Sequence, residues 1–346
     1  MSDPLQQALA TALAHLLAHV DTCDDEVLDP DTAVGWTEHT AHALGRLAPG
    51  DRRRLDALLR QAALREPEGP WREALLRVPA GLGLAEDPYA WYCDAVEDHA
   101  RRFAKTLRGA DPAAPVPSCP GWTVGDLIAH YGTTHRWTAH MVRTLPTERV
   151  FAKDLRLQPP ADPAECLDWA VEGAEAAVRA LRAADPDAGL WSFGADRHVR
   201  AYHRRVLSES AVHLADAALA VGAEPRVEPA TAADAVEEFL ENLPHYGWIA
   251  EPVSRIGRDG ATLRLTATDT GAAARTTWTI TLGGGGFDWT RRTAAPGTTE
   301  PATVTVAGTA GELLLLLYGR YGADDHRFTV SGDPTLLDAW TSATAF

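Results

Sequence analysis

The strongest constraint on this chain is its punctuation. Between residues 88 and 223, proline and glycine gather in a few loops: Pro112–Pro120, Pro159-Pro160, Asp185-Pro186, then Gly222. Between them lie stretches of about 20 residues, enough for five to six helical turns each. Apolar residues recur in these stretches at helical spacing. Trp91, Cys93, Val96, Phe103 and Leu107 mark the first, and Leu127, Ile128, Tyr131, Trp137, Met141 and Val142 the second. Leu167, Trp169, Ala170, Val178 and Leu181 mark the third, and Val206, Leu207, Ala211, Val212 and Leu214 the fourth. Four long helices joined by breaker-rich loops predict an antiparallel four-helix bundle over residues 88–225.

The flanks differ. Residues 1–87 predict a small helical unit: Leu5–Val20, a helix from the Asp29-Pro30-Asp31-Thr32 cap to Leu47, Arg52–Leu64 capped by Asp51, and Trp71–Val78. A linker from Pro79 ends near Asp87-Pro88. Residues 226–346 open with a helix at Ala230–Leu243 and then alternate. Thr262–Thr268, Arg275–Leu282, Phe287–Thr293, Thr303–Val306 and Phe328–Ser331 read as strands, with Gly283–Gly286 as a turn. Gly311–Tyr318 and a segment from Thr335 read as helices. The fold class is α+β multidomain, with a mainly antiparallel C-terminal sheet.

Charge narrows the partners. The net charge is −16, and Lys105 and Lys153 are the only lysines. Such a chain offers no general phosphate-binding surface, which argues against nucleic acid. No apolar run approaches the roughly 20 residues of a membrane span, and Met1-Ser2-Asp3-Pro4 has no basic leader. Cys23, Cys93, Cys119 and Cys166 are scattered, so free thiols in a reducing cytoplasm are expected.

On the fourth helix, Glu209 and His213 stand four residues apart, on one face. Alone, that spacing is as consistent with a side-chain pair as with a metal site. His130 on the second helix can face them across the bundle. Two imidazoles and one carboxylate with a fourth position open suit catalytic zinc, and equally other divalent metals including iron. A second set, His15, His19, Glu38, His39 and His42, can either bind metal or lie on solvated helix faces. His135 and His140 point away from His130 and are read as structural. Cys119 is read as a buried thiol, and Trp122, Trp137, Trp191 and Trp289 as core. Asp216 either orients an imidazole or is a surface charge.

Over residues 88–346 the chain resembles the mycothiol-dependent maleylpyruvate isomerase family, whose metal-binding half is a DinB-like bundle. The resemblance rests on Ser118-Cys119-Pro120-Gly121-Trp122-Thr123 with Asp126 and His130, and on Trp191-Ser192-Phe193-Gly194. It rests also on Arg205, Glu209, His213 and Asp216, and on Leu317-Tyr318-Gly319-Arg320 with Ser331-Gly332-Asp333. It implies zinc held by His130, Glu209 and His213, mycothiol as thiol cosubstrate, and a sterol-carrier-like C-terminal domain. It also implies that Arg320 points into the cleft, assisting catalysis or binding an anion; Arg320 pairing with Asp324 or Asp325 is the alternative. Ser208 stands where many relatives have histidine, and Leu214-Ala215 where they have a basic or aromatic residue. Residues 1–87 lie outside the resemblance.

The expected activity is activation of a low-molecular-weight thiol for addition to an electrophile. The outcome is cis–trans isomerisation of a maleylpyruvate-like acid if the thiol leaves, or S-transfer if it stays. The alternatives are a non-catalytic metal-binding or regulatory protein on the same scaffold, and a hydrolase, for which no general base is evident.

Overall fold

The computed structural model describes residues 4–44, 47, 49–84, 89–270, 275–294 and 301–345, with backbone alone at 49–51 and 53. The expected capping side chain of Asp51, the end of the linker at Asp87-Pro88, and residues 45 and 46 of the second helix lie outside that description. The described residues form twelve α-helices and one five-stranded sheet, an α+β protein. They divide into two compact units, Met1–Ala90 and Trp91–Phe346.

The first unit holds α1 (Pro4–Asp21), α2 (Pro30–Leu44), α3 (Pro49–Leu64) and α4 (Pro70–Gly81). Ala10, Ala14, Leu17 and Ala18 of α1 follow the helical repeat and pack with Leu59, Leu75 and Val78. The candidate ligands of this unit are not gathered. His15 sits 3.6 Å from Glu66, and both His15 and His19 pack against the Trp71 ring. His39 Nδ1 lies 2.8 Å from the Gly35 carbonyl of its own helix, and Glu38 and His42 join no three-ligand group among the described residues.

The second unit begins with α5 (Ala90–Leu107), α6 (Val124–Thr144), α7 (Pro163–Ala183) and α8 (Val199–Ala220), which share one core. Phe103 stacks on Tyr131 at 4.2 Å, tying α5 to α6. Helix α8 is buried almost all round, because it is covered on two sides. Val206, Leu207, Leu214 and Ala217 face the bundle core, whereas Val212 joins the core of the following sheet.

That sheet is introduced by α9 (Pro229–Asn242), a 3-10 turn at Leu243–His245 and α10 (Gly247–Ser254). Its elements are β1 (Thr262–Ala267), β2 (Arg275–Gly283), β3 (Gly286–Ala294), β4 (Val304–Gly308), α11 (Ala310–Leu317), β5 (Thr329–Gly332) and α12 (Pro334–Ala343). The strand order is β3-β2-β1-β4-β5. All neighbours are antiparallel except β1 and β4, which run parallel with Leu265 opposite Val306. Alternate residues Leu263, Leu265, Trp278, Ile280, Val304 and Val306 turn to the core with Phe239, Leu314 and Trp340. Among the described residues no helix is long and apolar enough to cross a membrane.

Candidate metal centre

Two local devices aim the second helix of the bundle. Trp122 N–H donates to the Cys119 carbonyl at 3.0 Å, closing a turn with Pro120 and Gly121 at its corners. Gly121 sits at φ +85°, which a type II turn demands and a side chain disfavours. Thr123 then caps α6. Its hydroxyl accepts from Asp126 N–H at 3.2 Å, while the Asp126 carboxylate accepts from Thr123 N–H at 2.9 Å. The expected capping box is present, and His130 follows two turns on.

Along α8, Arg205, Glu209 and His213 recur every fourth residue and form one ridge. His130 Nε2 lies 2.9 Å from Glu209 Oε1, and His213 Nε2 lies 3.0 Å from the same oxygen. The three side chains offer one ligand atom each, all within 4.8 Å of one another. A tetrahedral ion with bonds of 2.0–2.1 Å places its ligand atoms about 3.3–3.4 Å apart. The two His–Glu separations fall a few tenths of an ångström inside that, and the third pair lies within 4.8 Å, so side-chain shifts would be needed to seat a divalent cation. The donor set, two neutral-capable nitrogens and a carboxylate, is the right chemistry for one.

Behind the three ligands the charges alternate. Arg205 pairs with Glu209 Oε2 on one side, and on the other with Glu238 at 3.1 Å and the Tyr318 hydroxyl at 3.1 Å. Tyr318 also meets Ser208 Oγ at 3.1 Å. Past His213, Nδ1–H donates to Asp216 Oδ2 at 2.9 Å. Arg320 closes the row, donating to both Asp216 oxygens at 3.0 and 2.8 Å and to the Tyr318 carbonyl at 2.8 Å. Asp216 has no exposed surface, so it orients the imidazole and is no surface charge.

This order explains the protonation states. Burial pushes Glu209 up, but the Arg205 charge and the His130 and His213 hydrogen bonds outweigh it and hold the carboxyl well below its usual range. Burial would likewise neutralise His213; its bonds to Asp216 and Glu209 prevail and raise it to about 9. Burial opposes ionisation of Asp216 too, and His213 with Arg320 overcome it. Cys119, with Sγ 3.4 Å from Asp216 Oδ2, is pushed up to about 11 by burial and by that negative charge. Both effects favour the thiol over the thiolate.

Arg320 reaches its place through the end of α11. Gly319 N–H donates to the Leu316 carbonyl and Arg320 N–H to that of Leu315, the paired bonds of a Schellman motif. Gly319 takes φ +71°, which turns Arg320 back toward α8. Its guanidinium is engaged by Asp216 and is not among the residues lining the adjacent cavity. Neither Asp324 nor Asp325 is its partner; Asp325 binds Arg327 at 2.9 Å.

The cavity itself, about 310 Å³, has His130 and Glu209 in its lining. The His130 side chain is 37% exposed, against 13% for Glu209 and 9% for His213, so the open edge of the group is on His130. Walls come from Trp137 and Thr138 of α6, from Arg149, Val150 and Phe151 in the following loop, from Phe193, and from Tyr246 and Trp248 beside α10. Trp137, expected in the core, is buried and also forms a cavity wall. Trp122 packs on the His130 ring at 4.9 Å and the His213 ring at 6.1 Å.

Sequence reasoning assigned no role to Arg205, Glu238, Tyr318 or Arg149. Arg205 is recoverable from its four-residue step to Glu209; the others come from distant segments with no periodic signal.

The fold and centre define a helical bundle with a candidate His–Glu–His ligand group, coupled through buried ion pairs to an α+β domain. Residues 93–218 match the mycothiol maleylpyruvate isomerase N-terminal domain model and residues 230–339 the MDMPI C-terminal domain model. The two together span more than half of the chain, which belongs to the mycothiol maleylpyruvate isomerase family. Two crystal structures are similar to it. One is a histidine-to-alanine mutant of mycothiol-dependent maleylpyruvate isomerase, 18% identical, covering 71% of this chain and 94% of that one with a TM-score of 0.45. The other is mycothiol-dependent maleylpyruvate isomerase, 19% identical over the same shares with a TM-score of 0.44. No curated protein matches the chain.

Proposed function

We propose that the chain is a metal-dependent thiol enzyme of the cytoplasm, with zinc held by His130, Glu209 and His213 and mycothiol as the thiol. The observation that carries this is the convergence of three ligand atoms beside an open cavity. A divalent ion there supplies Lewis acidity that keeps a thiol deprotonated near neutral pH.

The protein's own residues do the rest. With an ion bound, Asp216 would hold the remaining proton of His213 on Nδ1 and leave Nε2 as the ligand atom. Arg205 occupies the outer oxygen of Glu209, so Oε1 faces the two imidazoles. Arg320 is a positioning residue: it keeps Asp216 ionised and in register. In the cavity the thiolate sulfur bonds to one carbon of an activated cis double bond, whose π pair moves onto the conjugated carbonyl. Rotation about the resulting single bond, return of the pair and breakage of the carbon–sulfur bond give the trans acid and release the thiolate. If the carbon–sulfur bond persists and the carbon takes a proton, the product is an S-conjugate. The acid expected is maleylpyruvate-like.

Ser208 and Leu214, where the chain departs from many relatives, are buried and outside the cavity lining. No observation therefore favours a purely regulatory role. The test is elemental analysis of purified protein beside Glu209→Ala and His213→Ala, followed by mass analysis of products from mycothiol and maleylpyruvate. One bound ion per chain, lost in both variants, and trans acid or conjugate as product are expected. Unchanged metal content in the variants overturns the reading.

A further inference from the structure

The charged groups of the cavity are not equivalent. Glu209 is engaged by His130, His213 and Arg205. Arg205 is held between Glu209, Glu238 and Tyr318. Arg320, the arginine that the sequence suggested for an anion, is committed to Asp216. Arg149 differs. It lines the cavity from its exposed loop, and among the described residues it makes no ion pair with a carboxylate. Its guanidinium carbon lies 4.5 Å from the Phe151 ring centre, 5.4 Å from Phe193 and 5.6 Å from Trp191. Aromatic faces hold a guanidinium flat and leave its N–H edge able to grip a carboxylate through two bonds. Lys153 approaches the same Phe151 ring at 5.3 Å but does not line the cavity.

The remaining wall is mostly apolar, with Trp137, Phe151, Phe193 and Tyr246 around the ligand group. Arg205 also lines the cavity but is already held by Glu209, Glu238 and Tyr318, so Arg149 is the lining arginine left to meet a ligand. We propose that Arg149 binds a carboxylate of the electrophile, whose apolar part packs against the aromatic wall. This deepens the proposed function and rests on it for the electrophilic chemistry; the binding preference itself does not require turnover.

The test therefore uses unreactive ligands. The zinc-loaded protein and the chelated protein are titrated calorimetrically with 3-benzoylpropionate and with its neutral amide. The acid is expected to bind about tenfold tighter than the amide, with and without zinc. Arg149→Gln brings the acid to the affinity of the amide and leaves the amide unchanged, while Arg149→Lys keeps part of the preference. An acid-to-amide ratio that Arg149→Gln leaves within twofold of the parent overturns the proposal, and so does a preference that vanishes on chelation. If the preference stands while no thiol product forms, the proposed function fails and this inference survives.

Discussion

Asp216→Asn isolates what the buried aspartate contributes, because the amide keeps its shape and removes its charge. Asp216 Oδ2 accepts from His213 Nδ1, Arg320 Nη2 and Cys119 Sγ, whereas Oδ1 accepts from Arg320 Nε alone. The amide nitrogen therefore settles on the Oδ1 side, where it opposes one donor rather than three. The bond to His213 persists but loses its charge assistance, roughly half its strength. That makes the imidazole a poorer ligand, and zinc affinity falls about tenfold, the lower end of what loss of such a supporting partner costs. Arg320 suffers more: it is left buried without a counter-charge, retaining the Tyr318 carbonyl, and the metal-free protein loses about 3 kcal/mol. Competition against a chromophoric chelator measures the first effect and urea unfolding of the metal-free protein the second. Affinity within twofold of the parent, alongside the expected loss of stability, refutes the argument that Asp216 tunes His213.

Two further outcomes follow from burial and backbone. Gly319→Ala forces an L side chain into φ +71°, costing about 1–2 kcal/mol in urea unfolding and turning Arg320 off Asp216; an unchanged midpoint counts against the Schellman assignment. His99, bonded to Ser210, and His135, bonded to the Tyr131 carbonyl, are each pushed down to about 4 by burial. Unfolded, each titrates near 6.5, so between 6.5 and 4 the unfolded chain binds more protons. Their stabilisation is complete above that window and declines on acidification by about 1.4 kcal/mol per pH unit each. Urea unfolding at pH 7.5 and 5.0 is expected to show a shallower decline for His99→Gln and for His135→Gln; equal declines refute the assignment.

The legible parts of this molecule are those with a period. Four breaker-bounded stretches of helical spacing delimit α5 to α8 to within a residue or two, and alternation locates each strand of the sheet. The meeting of His130 with Glu209 and His213 follows from the same logic, since helices of known phase in a bundle have few ways to face one another. Helix α10 escaped because it is one short element with Pro252 inside it. The parallel pairing of β1 with β4 escaped because the intervening hairpin, not any residue, brings β4 back to β1. Arg320 lies 104 residues from Asp216, and no local pattern couples them. Part of the cavity wall, Arg149, Val150, Phe151, Phe193 and Tyr246, comes from segments between helices, where side chains obey no repeat.

The long-range pairs also say why the α+β domain is built onto the bundle. Helix α8 bears two of the three candidate ligands, and each of its flanking charges has a second partner outside the bundle. Arg205 is balanced by Glu238 of α9 and steadied by Tyr318 after α11, and Asp216 by Arg320 just beyond. From Glu238 to Arg320 the sequence of groups is acid, base, acid, imidazole, acid, base. Each buried charge in that row costs several kcal/mol to desolvate and is compensated only by its neighbours. A bundle without the second domain would keep His130, Glu209 and His213, but Arg205 and Asp216 would each lose one of two charged partners, Glu238 and Arg320. The geometry of the candidate ligand group is thus set from both domains, although all three of its side chains belong to one.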